Sequence, residues 1–336
     1  MANMKQSVAI RGAGVVGLWQ ALTLARRGHA VTVYERSRAP FADACSPYGG
    51  AMLAPNCEEE SAESVIRDMG KRGVELWRET YPGTRTQGSL VVAPSRDRSL
   101  LDRFARMTRN FEPLDAGRLA ELEPDLAKRF PSALFYPGEA HLAPGPALEF
   151  LLDEAKKAGA TLRLGEAETP AGADIVIDCR GLAAKDALPD LRGVRGERIV
   201  VRTQEVALSR PVRLLHPRFP LYVVPWGMNL FMIGATLIES EEAGAISLRS
   251  TLELLTAAYT LDPAFGEAEI VSLGAGVRPA FPDNRPRIIP CEGYIYVNGL
   301  YRHGFLLAPV LAEAVAAFIA TGAKDPEVFF ASSAQR

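Results

Sequence analysis

The sequence predicts an α/β protein, α+β over its whole length, in which a dinucleotide-binding parallel-sheet domain is interleaved with an antiparallel-sheet domain. Three observations predict it. A strand–glycine turn–helix–strand unit opens the chain at 7–36. Helix and strand patterns of the same kind return at 147–181 and at 294–320. Between them, at about 85–135 and 200–270, short β-rich runs follow one another closely. The expected segments are 1–84, 136–195 and 271–336 for the nucleotide-binding domain, and 85–135 and 196–270 for a substrate-binding domain.

The opening unit is the most specific local signal. Val8, Ala9 and Ile10 are a short apolar run before Gly12-x-Gly14-x-x-Gly17. Leu18, Ala21, Leu22 and Ala25 recur at the spacing of one helix face. Gly28 ends that helix, and Ala30 to Tyr34 is a second β-rich run closing on Glu35. Gly12 allows a tight turn, Gly14 lets a pyrophosphate approach the backbone, and Gly17 lets helix and strand pack closely. The helix N-terminus offers N–H groups to phosphates, and Glu35 can accept hydrogen bonds from ribose hydroxyls. The unit alone leaves NAD, NADP and FAD open, although a carboxylate at Glu35 disfavours a 2′-phosphate.

A chain of 336 residues can hold two domains. With 48% hydrophobic and 23% charged residues it has the composition of a globular enzyme, and a net charge of -2 gives no electrostatic basis for nucleic-acid binding. Cys45, Cys57, Cys179 and Cys291 lie far apart without metal-finger spacing. They read as reduced thiols of a cytoplasmic protein, and no metal site is expected. The first strand starts so early that no signal peptide is expected. Phe305 to Ala320, with Pro309 and Glu313 inside it, reads as too short to span a bilayer.

From Ser37 to Pro55 small residues dominate, the composition of a loop that brings backbone close to a flat ligand. Glu58, Glu59 and Glu60 read as dipole partners at the start of a helix over 61–80, whose stripe is Ile66, Met69, Gly73 and Trp77. A strand is expected at Ser89–Ala93, a helix at Arg98–Thr108, an Asp115 cap on Ala116–Leu122, and a strand at Leu134–Tyr136. His141, in a Pro/Gly-rich loop, reads as solvated. Helix Ala147–Ala158 and strands at 161–164 and 174–178 follow. Four β-runs come next, with Trp226 to Asn229 as a hairpin turn. Leu248, Leu252, Leu255 and Tyr259 mark the expected core stripe of a helix. Ile270–Leu273 is then a strand, Gly274–Arg287 a loop, Tyr294–Val297 a strand, and the last helix begins at Phe305. Nucleotide domains threaded through a whole chain are commoner among flavoenzymes than among NAD dehydrogenases, which favours FAD.

Two arginines stand out: Arg278, in Gly276-Val277-Arg278-Pro279, and Arg302, in Gly299-Leu300-Tyr301-Arg302-His303-Gly304-Phe305. A guanidinium can bind a carboxylate bidentately. A glycine-bounded turn entering a helix is a second anion-binding N-terminus.

Together these blocks resemble the FAD-dependent D-amino-acid oxidase superfamily, and within it the glycine oxidases of thiazole (thiamine) biosynthesis. The resemblance rests on Gly12-x-Gly14-x-x-Gly17 with Glu35, on 49–55, on the strand pair 221–225 and 231–236, on 276–284 and on 299–309. It departs at Ala51, where the family commonly has Gly, at Leu237, where it has Met, and in a shortened stretch between Leu164 and Asp174 that leaves the adenine contact unassigned.

The resemblance implies non-covalent FAD in a D-amino-acid oxidase/glycine oxidase type fold. Gly12, Gly14, Val15, Val16, Gly17, Glu35 and Arg36 would hold its adenosine diphosphate half. Cys45, Ser46, Gly50, Ala51 and Met52 would line the flavin side of the loop, and Leu300, Tyr301, His303, Gly304, Phe305 and Leu306 would lend backbone groups to the isoalloxazine. Arg278 and the Tyr222 hydroxyl would clamp the substrate carboxylate, and Arg302 would lie near substrate and flavin edge. The implied reaction is oxidative deamination of glycine, sarcosine or a small D-amino acid with dioxygen as acceptor; the alternative is a dehydrogenase of the same fold, including one linked to a quinone. It needs no membrane span or nucleic acid, is compatible with a homo-oligomer, and links functionally to thiazole synthase.

Overall fold

The computed structural model describes residues 5–167, 172–218 and 220–331. Its centre is the opening unit, strand Ser7–Arg11, helix Val15–Arg26 and strand Ala30–Glu35. The first strand pairs in parallel with Ala30–Glu35 on one side and Ile175–Asp178 on the other, so Ile10 sits between Val33 and Ile177. Thr161–Leu164 and Tyr294–Asn298 extend the sheet in parallel, and Arg287–Cys291 closes its edge as a sixth, antiparallel strand. That edge strand lies almost wholly between the expected loop 274–287 and the expected strand at 294, in residues the sequence pattern left unassigned.

The N–H groups and apolar face of the first helix set the packing around it. Gly12 has φ +96°, a turn that an L side chain rarely adopts. A Cβ on Gly17 would overlap the Gly12 carbonyl oxygen, so the absent side chain brings helix and strand together. Helices Pro144–Lys157 and Gly304–Thr321 cover the helix Val15–Arg26, and Ser64–Thr80 packs on the last of these. The last helix has 18 residues, more than expected, and is long and apolar enough for a membrane span by length and composition. Here Leu307, Leu311, Ala312 and Val315 are buried in the core of the parallel-sheet domain.

The second sheet has nine strands drawn from 89–136, 192–239 and 269–280. It is antiparallel except where Val212–Leu214 runs parallel to Ser89–Val92. The expected segment boundaries near 195 and 271 fall inside its strands Arg192–Arg202 and Glu269–Ala280. Those two strands pair over their whole length, so Gly274–Ala280 is strand rather than the expected loop. The hairpin turns at Met228 and Asn229, both with positive φ, which matches the twist of the flanking strands. Asp115 caps its helix as its sequence position implies, accepting from Arg118 N at 2.8 Å.

Helix Leu248–Leu261 covers the outer face of this sheet with the opposite side from the one expected. Leu254, Ala257, Ala258 and Leu261 are buried, while Leu248, Leu252 and Tyr259 are exposed. The helix carries apolar residues on two faces, and the face with two alanines permits the closer approach to the sheet. The other face of the sheet, with Val200, Val224 and Met232, looks toward the flavin-loop region and Met52.

Gly17→Ala should lower the urea midpoint, since overpacking of this kind costs about 1–3 kcal/mol. An unchanged midpoint in equilibrium unfolding would contradict the helix–strand contact.

Candidate active site

A continuous cavity of about 860 Å³ runs from the Gly12–Gly14 turn, past the 42–52 loop, to Arg278 and Arg302. At the nucleotide end, Ala13 N donates to Glu35 Oε2 at 2.9 Å and Ser37 N to Oε1 at 3.1 Å, which fixes the carboxylate beneath the turn. Ser46 Oγ accepts from Val15 N at 3.1 Å, tying the 42–52 loop to the helix start. That helix and the last one both begin without a side-chain cap of their own, and both first turns line the cavity. Two helix N-termini thus face one space, an arrangement that favours negative charge.

Met52–Leu53 pairs with Ala140–His141 in a small two-stranded sheet that anchors the end of the loop. His141 is therefore fully buried rather than solvated. Burial, with Arg85 nearby, lowers its pKa to about 4. The Tyr222 ring lies against the Gly50 backbone, where a Cβ would collide with it. Ala51 has φ +50°, the left-handed conformation that explains why glycine is common at this position.

At the far end, Arg278 leaves its strand across Gly196, where any Cβ would overlap its guanidinium. Its Nη1 donates to Thr236 O at 3.3 Å. Six arginines line the cavity. Arg11 and Arg180 pair with Asp178, Arg36 with Asp43, and Arg213 and Arg302 with Glu58. Among the described residues, Arg278 alone of the six has no carboxylate partner.

Glu58 corrects the expectation of a helix-dipole role. The next helix starts only at Ser64, and Glu58 ends a separate short helix, Pro55–Glu58. Its Oε1 accepts from Arg213 Nη2 at 2.9 Å and Arg302 Nη2 at 3.4 Å, and Oε2 lies 3.5 Å from His303 Nδ1. Burial pushes the carboxyl upward, but Arg302 and Arg213 outweigh it and hold the pKa at about 2. Burial lowers His303 to about 4 despite the neighbouring Glu58, so it is neutral near pH 7. Arg213 is the other residue that the sequence reading passed over. The available signal was a charge inside the apolar run Val212–Leu215, which implies a buried partner.

Of the expected site residues, Gly12, Gly14, Val15, Val16, Glu35, Arg36, Cys45, Ser46, Gly50, Ala51 and Met52 line the cavity. So do Tyr222, Arg278, Leu300, Tyr301, Arg302, Gly304 and Phe305. Gly17, His303 and Leu306 do not. Gly17 serves the helix–strand packing, His303 stands behind Glu58, and Leu306 is buried against Gly70. The adenine contact sought between Leu164 and Asp174 falls partly on 168–171, outside the described residues; Ala167 reaches the cavity.

The cavity fits an extended dinucleotide. It has the glycine turn with a fixed ribose-side carboxylate, two helix first turns on its wall, and a backbone-rich loop of the kind a flat ring needs. Fold and site together define an FAD-dependent oxidoreductase. Residues 7–318 match the FAD dependent oxidoreductase (DAO) family, and the chain belongs to it. It is 51% identical over 322 residues to a Rhizobium etli protein named as a thiamine biosynthesis oxidoreductase, covering 95% of this chain and 98% of that one. Identity to the glycine oxidase of Geobacillus kaustophilus is 25% over 93% of this chain and 92% of the relative. A crystal structure of glycine oxidase from that organism superposes with TM-score 0.80 at 24% identity, covering 96% of both chains.

Below Glu58, Glu139 anchors the short helix, accepting from Cys57 N at 2.8 Å and from Ser89 Oγ. Burial raises its pKa from 4.5 to about 7. The folded protein therefore binds a proton there that the unfolded chain releases, and stability falls as pH rises from about 4.5 to about 7. Glu139→Gln should flatten that part of the stability–pH curve and raise the melting temperature at pH 8 relative to pH 5. Parallel curves for variant and wild type would exclude this assignment.

Proposed function

We propose that the protein is an oxidase of small amino acids, with glycine as its principal substrate, and that the imino acid it forms serves thiamine thiazole synthesis. The carrying observation is the unpaired Arg278, presented over Gly196 to the end of a flavin-sized cavity. A guanidinium that lines a cavity without a carboxylate partner among the described residues favours a carboxylate ligand. The names of the relatives support glycine and thiamine biosynthesis as the context.

The chain's own part in the reaction is binding and orientation. Arg278 holds the carboxylate, and the hydroxyl of Tyr222, which lines the same cavity, adds a hydrogen bond. Arg302, steadied by Glu58, bounds the space around the Cα and amino group. Glu58 stays ionised between two guanidiniums and His303 is outside the cavity, so neither is placed as a base for the Cα proton. FAD, when bound, supplies the two-electron acceptor and passes those electrons to dioxygen. In balance, glycine, dioxygen and water give glyoxylate, ammonia and hydrogen peroxide, unless the imino acid is consumed first. Correct orientation alone contributes much of such a rate.

The purified protein should show a flavin absorbance spectrum that bleaches on anaerobic addition of glycine and returns with air, with release of peroxide. If glycine and sarcosine are inert while D-alanine turns over, the substrate assignment fails. Arg278→Ala should raise KM and lower kcat/KM by about 2–4 kcal/mol equivalent. Wild-type kinetics in that variant would remove the clamp.

A further inference from the structure

Glu58 does more at this site than neutralise a neighbour. Two cavity-lining guanidiniums, Arg213 and Arg302, converge on its Oε1, at 2.9 and 3.4 Å. Its own helix is pinned from below through Cys57 N and Glu139. Glu58 is buried, so its charge acts on its surroundings with little screening from water. Oε2 has no hydrogen-bond partner among the described residues.

We propose that Glu58 is a specificity-determining positioning residue, which restricts the cavity to amines carrying a single carboxylate. This deepens the amino-acid oxidase reading and rests on it. With Glu58 in place, both guanidiniums point at a protein carboxylate and Arg278 is left as the anchor for substrate. A second carboxylate on the substrate would have to lie beside Arg302 and Arg213, where Glu58 already takes the Nη2 of each and its charge repels a second anion. Without that charge, the same two guanidiniums become an anion site, and a dicarboxylate amine fills it. The exclusion is thus a built repulsion rather than a lack of room.

The test uses the FAD-loaded enzyme. Binding of acetate and of malonate is read from their effect on flavin absorbance, and turnover is measured with glycine and with N-(carboxymethyl)glycine. Wild type should prefer acetate to malonate and glycine to N-(carboxymethyl)glycine. Glu58→Gln should shift both preferences toward the dicarboxylate by about tenfold or more, whereas Glu58→Asp, which keeps the charge, should retain the wild-type order. Unchanged preferences in a Glu58→Gln protein that still holds flavin would overturn the proposal. So would a wild-type enzyme that takes dicarboxylates as readily as monocarboxylates, whether or not the Gln variant folds. The binding arm does not depend on turnover, so an enzyme that oxidises no amino acid would refute the proposed activity while leaving the role of Glu58 measurable.

Discussion

The buried carboxylate of Glu58 ties together three segments that are remote in sequence. The short helix Pro55–Glu58 brings the acid, strand Val212–Leu214 of the larger sheet brings Arg213, and the turn after Tyr294–Asn298 of the parallel sheet brings Arg302. The ion cluster therefore sits where the two sheets meet, lining the same cavity as Arg278. Removing one partner of such a buried cluster leaves an uncompensated charge, at a cost of about 3–5 kcal/mol. The same contact that joins the two halves also fixes which guanidinium is free.

Around that junction the cavity is shaped mainly by backbone. Gly12 and Gly50 bring main chain against Cys179 and Tyr222, and Gly196 clears the path of Arg278. Two helices begin at the cavity without a side-chain cap from their own N-cap residues, at Val15 and Gly304. Their N-termini supply positive potential that does not depend on long, mobile side chains. Trp77 Nε1 donates to Phe305 O at 2.6 Å, and Arg72 reaches Glu313 from the helix Ser64–Thr80, so the last helix is held in place.

Much of this was legible from residue order. The opening strand, turn, helix and strand follow from local periodicity and three glycines, and the cap at Asp115 and the hairpin at Met228–Asn229 follow from local turn chemistry. Less legible were features decided by what lies across the fold. His141 occupies a loop-like sequence but is buried because Met52 pairs with it. The helix at 248–261 has two apolar faces, and only the sheet beneath it selects Leu254 and Leu261 over Leu252 and Tyr259. Gly274–Ala280 looks like a loop by composition, yet Arg192–Arg202 offers it a full-length partner.

The sequence by itself determined the dinucleotide unit, a short-range pattern of spacing and residue type, and its motif blocks, with Arg278 and Arg302 among them, carried the resemblance to the FAD-dependent family. Only the tertiary structure decided that Glu58 belongs to the site, that Arg213 joins it, and that Arg278 is the arginine left unpaired. The state of a charged side chain depends on which opposite charge lies within a few ångströms. Here those partners, at 58, 213 and 302, come from opposite parts of the chain.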